Sequence, residues 1–177
     1  MTVHAFSGKG LGTIEECREQ TIERLKEWSG MIERDHQPIF LALEINRSKG
    51  KIDPTTTTRN VAQIVSKVAS DRVGICWDMG HFYSNSLHIQ EPDVISKAFL
   101  NKVIHTHIHG VSEQGTHAPL VAPAGLPLEE YLSLLDDYQG IYNLEFNFAK
   151  FPPEKGWGQW IEESITRLRA CGHSKRN

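Results

Sequence analysis

Three acidic residues stand where predicted strands end, and together they could bind a metal ion. Glu44, Asp78 and Glu145 each come near the C-terminal end of an apolar run. Because side chains alternate along a strand, each carboxylate lies on the face opposite the bulky apolar residues. Carboxylates gathered in one pocket repel each other, and a buried one is costly unless it is paired or metal-bound. The pattern therefore predicts a divalent cation among them.

Histidines supply candidate imidazole ligands on a further strand. The segment KVIHTHIH alternates strictly, so that His105, His107 and His109 share one face. Spacing alone leaves open which of the three joins the carboxylates, since a single strand histidine is more often structural. Asp78 and His81 form a DxxH motif, which places a carboxylate and an imidazole within one turn of each other just past a strand end.

Strands and helices alternate along nearly the whole chain, which predicts a parallel α/β sheet. The predicted strands are Thr2–Phe6, Ile39–Asn46, Val73–Asp78, Lys102–His109 and Ile141–Phe146, with a further short strand considered at Leu120–Ala122. The first predicted helix follows an N-cap at Thr13, with Glu16 as its capping-box partner. Further helices are predicted over Thr55–Ala69, Glu91–Leu100, Pro127–Tyr138 and Gly156–Ala170. Active sites lie at the C-terminal ends of such strands both in TIM barrels and in open sheets. Periodicity alone leaves both architectures open.

Length, charge and apolar runs narrow the expected class of protein. The 177 residues suit a single domain over residues 1–177. A net charge of −3 with both signs interspersed shows no footprint for nucleic acid or an anionic membrane. The sequence contains no apolar run long enough to predict a membrane span, and its first fifteen residues contain no apolar region typical of a secretion signal. The three cysteines form no CxxC pair, so free thiols and a cytoplasmic location are expected.

Several segments together resemble one family. LALEIN, VGICWDMGHFYSN, VIHTHIHG and YNLEFN resemble strands four, five, six and eight of the xylose-isomerase-like TIM barrels, with TVHAF as strand three. That superfamily includes sugar phosphate isomerases and epimerases, dehydroshikimate dehydratases and endonuclease-IV-like apurinic endonucleases. The resemblance implies a TIM-barrel-type parallel β/α fold that is incomplete and covers strands three to eight. It also implies that Glu44, Asp78, His107 and Glu145 are the divalent metal ligands.

The same resemblance implies substrate contacts for three more histidines. His81 matches a position that touches substrate in mononuclear members and a second metal in the endonucleases. His4 matches a histidine of the endonucleases' metal cluster, and His117 falls where several members carry DxH. Two features depart from the family. Gly115 replaces the Asp of that DxH motif, and residues 73–166 contain no Arg to hold substrate as in many epimerases.

The function implied by the resemblance is that of a metal-dependent sugar or sugar-phosphate isomerase or epimerase. Such an enzyme moves a proton next to a carbonyl through an enediolate, with Glu44 and Glu145 as general base and acid. Three carboxylates and one imidazole favour one Mn²⁺ or Mg²⁺ ion, with Co²⁺ or Zn²⁺ as alternatives. The expected partner is a small sugar, and neither a membrane nor nucleic acid is expected.

Two alternatives remain open. One is a Zn²⁺-dependent phosphodiesterase acting on abasic DNA, which His4, His81 and His117 support and Gly115 weakens. The other is a non-catalytic partial barrel that serves as a binding or assembly module. A complete barrel of this type has about 250 residues. We therefore expect a second copy of the chain, or another partner, to cover the open side of the barrel and its edge strands.

Overall fold

The strands that carry the acidic residues lie side by side in one parallel sheet. The computed structural model describes residues 1–8, 12–48, 50, 52–87, 94–120, 125–135, 137–151 and 156–173. Within these residues lie seven strands, β1 to β7, namely Thr2–Val3, Leu41–Glu44, Val73–Asp78, Val103–Ile108, Gly110–Ser112, Gly115–Ala118 and Ile141–Leu144. The main sheet has the order β1-β2-β3-β4-β7, and all its pairings are parallel. β5 and β6 form a separate antiparallel hairpin. This is the partial β/α barrel sheet that the sequence predicted.

Six helices connect the strands in the part of the chain that the structure describes. Helices α1 to α6 are Ile14–Arg34, Thr58–Val68, Met79–Ser86, Lys97–Leu100, Leu128–Ser133 and Trp157–His173. The predicted capping box of α1 is confirmed, because Thr13 Oγ1 accepts the Glu16 N–H and Glu16 Oε2 accepts the Thr13 N–H. Within the described part of the chain, no helix is long and apolar enough to cross a membrane.

The direct pairing of β4 with β7 corrects the strand numbering. The family resemblance predicts strands six and eight for these segments, which requires another strand between them. Instead, His105 faces Ile141 and Ile108 faces Leu144 across one parallel ladder. The described part of the connection holds the β5–β6 hairpin and α5 and contributes no strand to the main sheet. Of the short strand considered at Leu120–Ala122, Leu120 is not in a strand, and residues 121–122 lie outside the described residues.

Several other boundaries differ from the predicted ones for local reasons. Helix α2 begins at Thr58 and not at Thr55, because Thr57 is its N-cap and accepts the Asn60 N–H, while Thr55 is bound through its N–H and hydroxyl to Asp53 Oδ1. Helix α4 begins at Lys97, with Ser96 as its N-cap, whereas the predicted start at Glu91 falls outside the described residues. Helix α3 was not predicted, since its short sequence shows no apolar stripe.

Bulky side chains on one face of the sheet form the core beneath the helices, as the strand alternation predicted. Trp77 on β3 is fully buried and packs against the rings of Phe82, Phe99 and Tyr131, which come from α3, α4 and α5. The contacts with Phe82 and Phe99 are edge-to-face, an arrangement that adds to the stabilisation from apolar burial. This packing holds β3, and hence Asp78 at its end, against three helices.

Candidate metal centre

Glu44, Asp78, His107 and Glu145 converge where four neighbouring strands end. One ligand atom from each lies within 4.8 Å of the others. His107 Nδ1 is 3.1 Å from Glu145 Oε2, 3.6 Å from Glu44 Oε1 and 3.9 Å from Asp78 Oδ2. The register explains the convergence, because Asp78 lies directly opposite His107 and the Glu145 N–H continues the ladder by donating to Ile108 O.

Several of the converging atoms lack hydrogen-bond partners. Asp78 Oδ2, His107 Nδ1 and Glu145 Oε2 are buried and make no hydrogen bond with the residues described in the structure. The 3.1 Å separation of His107 Nδ1 and Glu145 Oε2 is short, but the two groups are not aligned as donor and acceptor. Unpartnered buried polar atoms are costly. A divalent cation would satisfy all three, and carboxylate oxygens with one imidazole nitrogen fit Mn²⁺, Mg²⁺ or Zn²⁺. The residues therefore fit a metal ion.

Without a cation, a proton on His107 balances the carboxylates. Burial opposes the charged imidazolium, but the Cys76 thiol and the carboxylates of Glu145 and Glu44 outweigh burial and raise the pKa of His107 to about 12. Burial likewise opposes ionisation of Glu44, but His107 and His81 hold its pKa well below the usual range. His107 also lowers the pKa of Glu145. A metal ion would therefore displace this proton when it binds.

His81 and His117 lie beside the four residues and face each other. His81 Nδ1 is 3.1 Å from Asp78 Oδ2 and 3.4 Å from Glu44 Oε1, and its Nε2 is 3.1 Å from His117 Nε2. Burial lowers the pKa of His81, but Glu44 and Asp78 raise it by more. Burial, His109 and His81 lower the pKa of His117 to about 4. Neutral His117 can therefore accept a hydrogen bond from the ring of His81.

A pocket of about 350 Å³ opens above these side chains. Its lining brings together all three predicted substrate-contact histidines and two of the predicted ligands, along with two residues that the sequence analysis did not single out: His4, His81, His117, Glu44, Glu145, Asn46 and Arg47. His4 is at the rim, where Nδ1 lies 2.8 Å from Asn46 Oδ1 and Nε2 lies 3.7 Å from Glu44 Oε2. A larger cavity of about 700 Å³ borders Val103 and Tyr138, but among the described residues that line it Asp137 is the one carboxylate. The chemistry thus favours the smaller pocket.

His109 is a site residue that the sequence analysis treated as structural. Its fully buried ring places Nε2 3.0 Å from Asp78 Oδ1, although without ideal hydrogen-bond alignment. Nδ1 accepts the His117 N–H at 3.0 Å, and the two rings stack with centroids 4.2 Å apart. His109 thus links a predicted metal ligand to a predicted substrate contact. The signal in the sequence was its alternation with His107 on one strand face.

Gly80 leaves the space that the His109 ring occupies, which leads to a prediction about stability. A Cβ at Gly80 would lie 2.0 Å from His109 Cε1. We therefore expect Gly80→Ala to push the His109 ring away and to destabilise the protein by about 1–3 kcal/mol, the usual cost of overpacking. Thermal unfolding of the purified variant measures the effect.

The matched control for Gly80→Ala is Gly158→Ala on helix α6, where nothing lies within 4 Å of the added Cβ. Because alanine favours helix, this control should be neutral or slightly stabilising. A Gly80→Ala protein with the melting temperature of wild type would contradict the tight packing of His109.

The structure of the chain is similar to those of several known proteins. The chain is similar to the apo form of 3-keto-D-glucoside 4-epimerase, YcjR, from E. coli, with 17% identity, a TM-score of 0.71, and coverage of 96% of this chain and 63% of that chain. It is also similar to the IOLI protein with a binding zinc atom, with 18% identity, a TM-score of 0.66, and coverage of 97% and 60%. An AP endonuclease of family 2 from Brucella melitensis has 21% identity, a TM-score of 0.62, and coverage of 82% and 55%.

At these identities the likeness shows the fold. The chain spans less than two thirds of the length of these three proteins. No curated protein matches the sequence significantly. The family model described as xylose isomerase-like TIM barrel matches residues 1–171, and the chain therefore belongs to that family.

Proposed function

We propose that the chain acts as a divalent-metal-dependent sugar isomerase or epimerase. The observation that carries this proposal is the placement of two glutamates, Glu44 and Glu145, in one candidate metal centre that opens onto the 350 Å³ pocket. That volume lies within the range of small-molecule sites. The similar structure of an E. coli 3-keto-D-glucoside 4-epimerase supports the same class of substrate.

The chain's own residues supply the groups that such a reaction needs. A bound divalent ion would act as a Lewis acid on substrate oxygens. Glu44 ends β2 and Glu145 follows β7, and two other strands separate them, so each can reach a substrate carbon from its own side of the centre. One carboxylate takes the proton next to the carbonyl, and the other returns a proton. His81 and His117 line the pocket, where they can hydrogen-bond substrate hydroxyls.

The nuclease alternative has support from one cluster of histidines. Ligand atoms of His81, His109 and His117 lie within 4.8 Å of one another, which is close enough for the three imidazoles to bind a second metal ion. However, His109 Nδ1 accepts the His117 N–H and its Nε2 faces Asp78, so His109 would have to give up these contacts to bind a metal. Gly115, which replaces the Asp of the family's DxH motif, supplies no carboxylate ligand for a second metal. The arrangement therefore favours a single ion and the isomerase.

Proton exchange tests the proposed reaction directly. We expect Mn²⁺-loaded protein to incorporate deuterium from D₂O next to the carbonyl of a ketose or keto-sugar and to form its epimer, both measured by NMR. Glu44→Gln and Glu145→Gln should each slow the exchange by about 100-fold or more, because each removes a proton carrier. Glu27→Gln on the exposed face of α1 is the matched control and should exchange at the wild-type rate.

Absence of exchange across a panel of ketoses and keto-sugars would argue against an isomerase. Cleavage of abasic DNA by protein that holds two or three zinc ions would instead support the nuclease. Metal content by elemental analysis separates the two, since the isomerase requires one ion per chain.

A further inference from the structure

We propose that Arg47 and Lys150 form an anion-binding subsite next to the candidate metal centre, and that the substrate carries an oxyanion group, either a phosphate ester or a carboxylate. As an account of substrate choice, this inference rests on the proposed isomerase function. The binding of a free anion can be tested without it. The family pattern predicted no arginine in contact with substrate, because residues 73–166 contain none.

Arg47 is a half-buried cation that lines the pocket. It lies three residues after Glu44 and shares the pocket wall with Glu145 and His117. Its guanidinium makes no hydrogen bond or ion pair with any residue in the described ranges, including the nearby carboxylates. The arginine guanidinium is a planar group with five N–H donors, and its geometry allows two parallel hydrogen bonds to an oxyanion. A half-buried guanidinium on a pocket wall, without a partner among the described residues, is suited to bind a ligand.

The backbone on both sides of Arg47 is fixed. The buried side chain of Asn85 accepts the Ser48 N–H at 2.8 Å and donates to Asn46 O at 2.9 Å. The Asn46 N–H also donates to Thr55 O. Because the main chain of this segment is held in place, a ligand would order only the Arg47 side chain. Such preorganisation lowers the entropy cost of binding.

Lys150 brings a second cation to the same place. A Cβ on Gly115 would lie 2.4 Å from Lys150 Nζ and 3.4 Å from Arg47 Nη1, so both cations lie close to this one glycine of the hairpin. Lys150 is placed by a turn after β7, in which its N–H donates to Asn147 Oδ1 while the Asn147 N–H donates to His117 O. Gly115 has a φ of 118°, in the region that favours glycine, and leaves the room that a side chain would fill.

Charge balance favours an anionic ligand at this position. Glu44, Asp78 and Glu145 carry three negative charges, and one divalent ion neutralises two of them. A negatively charged substrate would then be repelled unless further cations lie nearby. Arg47 on the pocket wall and Lys150 beside Gly115 supply two positive charges near the pocket. A phosphate ester, with a charge of about −1.5 to −2 at neutral pH, or a carboxylate fits this arrangement.

Calorimetric titration of Mg²⁺-loaded protein tests the subsite with two probes, inorganic phosphate and acetate. We expect wild type to bind at least one of them and Arg47→Gln to bind it about tenfold more weakly, because the charge-assisted hydrogen bonds of the guanidinium are lost. Lys150→Gln should weaken binding severalfold. Arg72→Gln is the matched control, since Arg72 lies over the Phe40 ring away from the pocket, and it should bind like wild type.

The two probes distinguish the sources of the oxyanion. Tighter binding of phosphate would support the subsite and assign a phosphate ester, whereas tighter binding of acetate would support it and assign a carboxylate. If neither anion binds, or if Arg47→Gln binds as wild type does, the subsite is wrong. Phosphate binding that is lost in Asp78→Asn but unchanged in Arg47→Gln would place the anion on the metal and also overturn the proposal. None of these results bears on deuterium exchange with neutral sugars, so the two proposals can fail separately.

Discussion

Replacing Asp78 with Asn is expected to weaken Mn²⁺ binding by about 100-fold or more, as loss of a charged ligand from a site with few ligands should do. Asp78 is fully buried, and its Oδ2 has no hydrogen-bond partner among the residues that the structure describes. The substitution removes the negative charge from that atom. Calorimetry with Mn²⁺, followed by elemental analysis of the loaded protein, measures the loss.

Asn at position 78 should leave the fold intact, which makes the experiment specific for the metal. Asp78 Oδ1 caps helix α3 by accepting the His81 N–H at 2.7 Å, and an Asn side chain caps a helix about as well as Asp. Glu145→Gln should lose metal in the same way, because Glu145 Oε2 is also unpartnered. The matched control is Asp71→Asn on the surface. Wild-type protein that holds no metal after loading with Mn²⁺ or Zn²⁺ would rule out the metal centre itself.

His107→Ala is expected to lower metal affinity by about 100-fold, whereas His105→Ala should lower it less than about tenfold. Both side chains lie on the same face of β4, two residues apart. His107 Nδ1 points to the three carboxylates, while the His105 ring contacts the ring of His107 at a centroid distance of 5.2 Å. His105 also lies opposite Cys76, which is deeper along β3 than Asp78.

Both variants replace a histidine with alanine on the same face of β4, so each serves as the control for the other. Their metal affinities are compared by titration with Mn²⁺, and their melting temperatures without metal report any general loss of packing. Equal losses of affinity would mean that the register of β4 against β3 is wrong. A larger loss from His105→Ala would assign the ligand to the deeper imidazole.

The candidate ligands could be predicted from the sequence because strand alternation is a local property. Glu44, Asp78 and Glu145 each follow an apolar run, and the phase of each run gives the face of each side chain. The capping box at Thr13 and Glu16 is equally local, since it joins residues three positions apart. The family pattern then selected His107 from three histidines that spacing alone could not separate.

The order of the strands was beyond local pattern. The connection between β4 and β7 has the length and the Gly and Pro content of a region that could hide a barrel strand, and a short strand at Leu120–Ala122 was open on the sequence alone. Only the parallel ladder between His105 and Ile141 shows that the two strands are neighbours. Because pairing depends on which segments meet in space, strand count and strand order are decided by tertiary structure.

The sequence by itself determined the strands of the main sheet, the helices other than α3, the face of each main-sheet strand and the ionisable residues at the strand ends, because periods of 2 and 3.6 residues and helix caps depend on near neighbours. Tertiary structure alone decided which groups meet. Arg47 and Lys150 are about a hundred positions apart, yet both lie beside Gly115. His109 lies between Asp78 and His117 because Gly80 makes room for its ring. Such contacts depend on packing between distant segments, which leaves no periodic trace in a single chain.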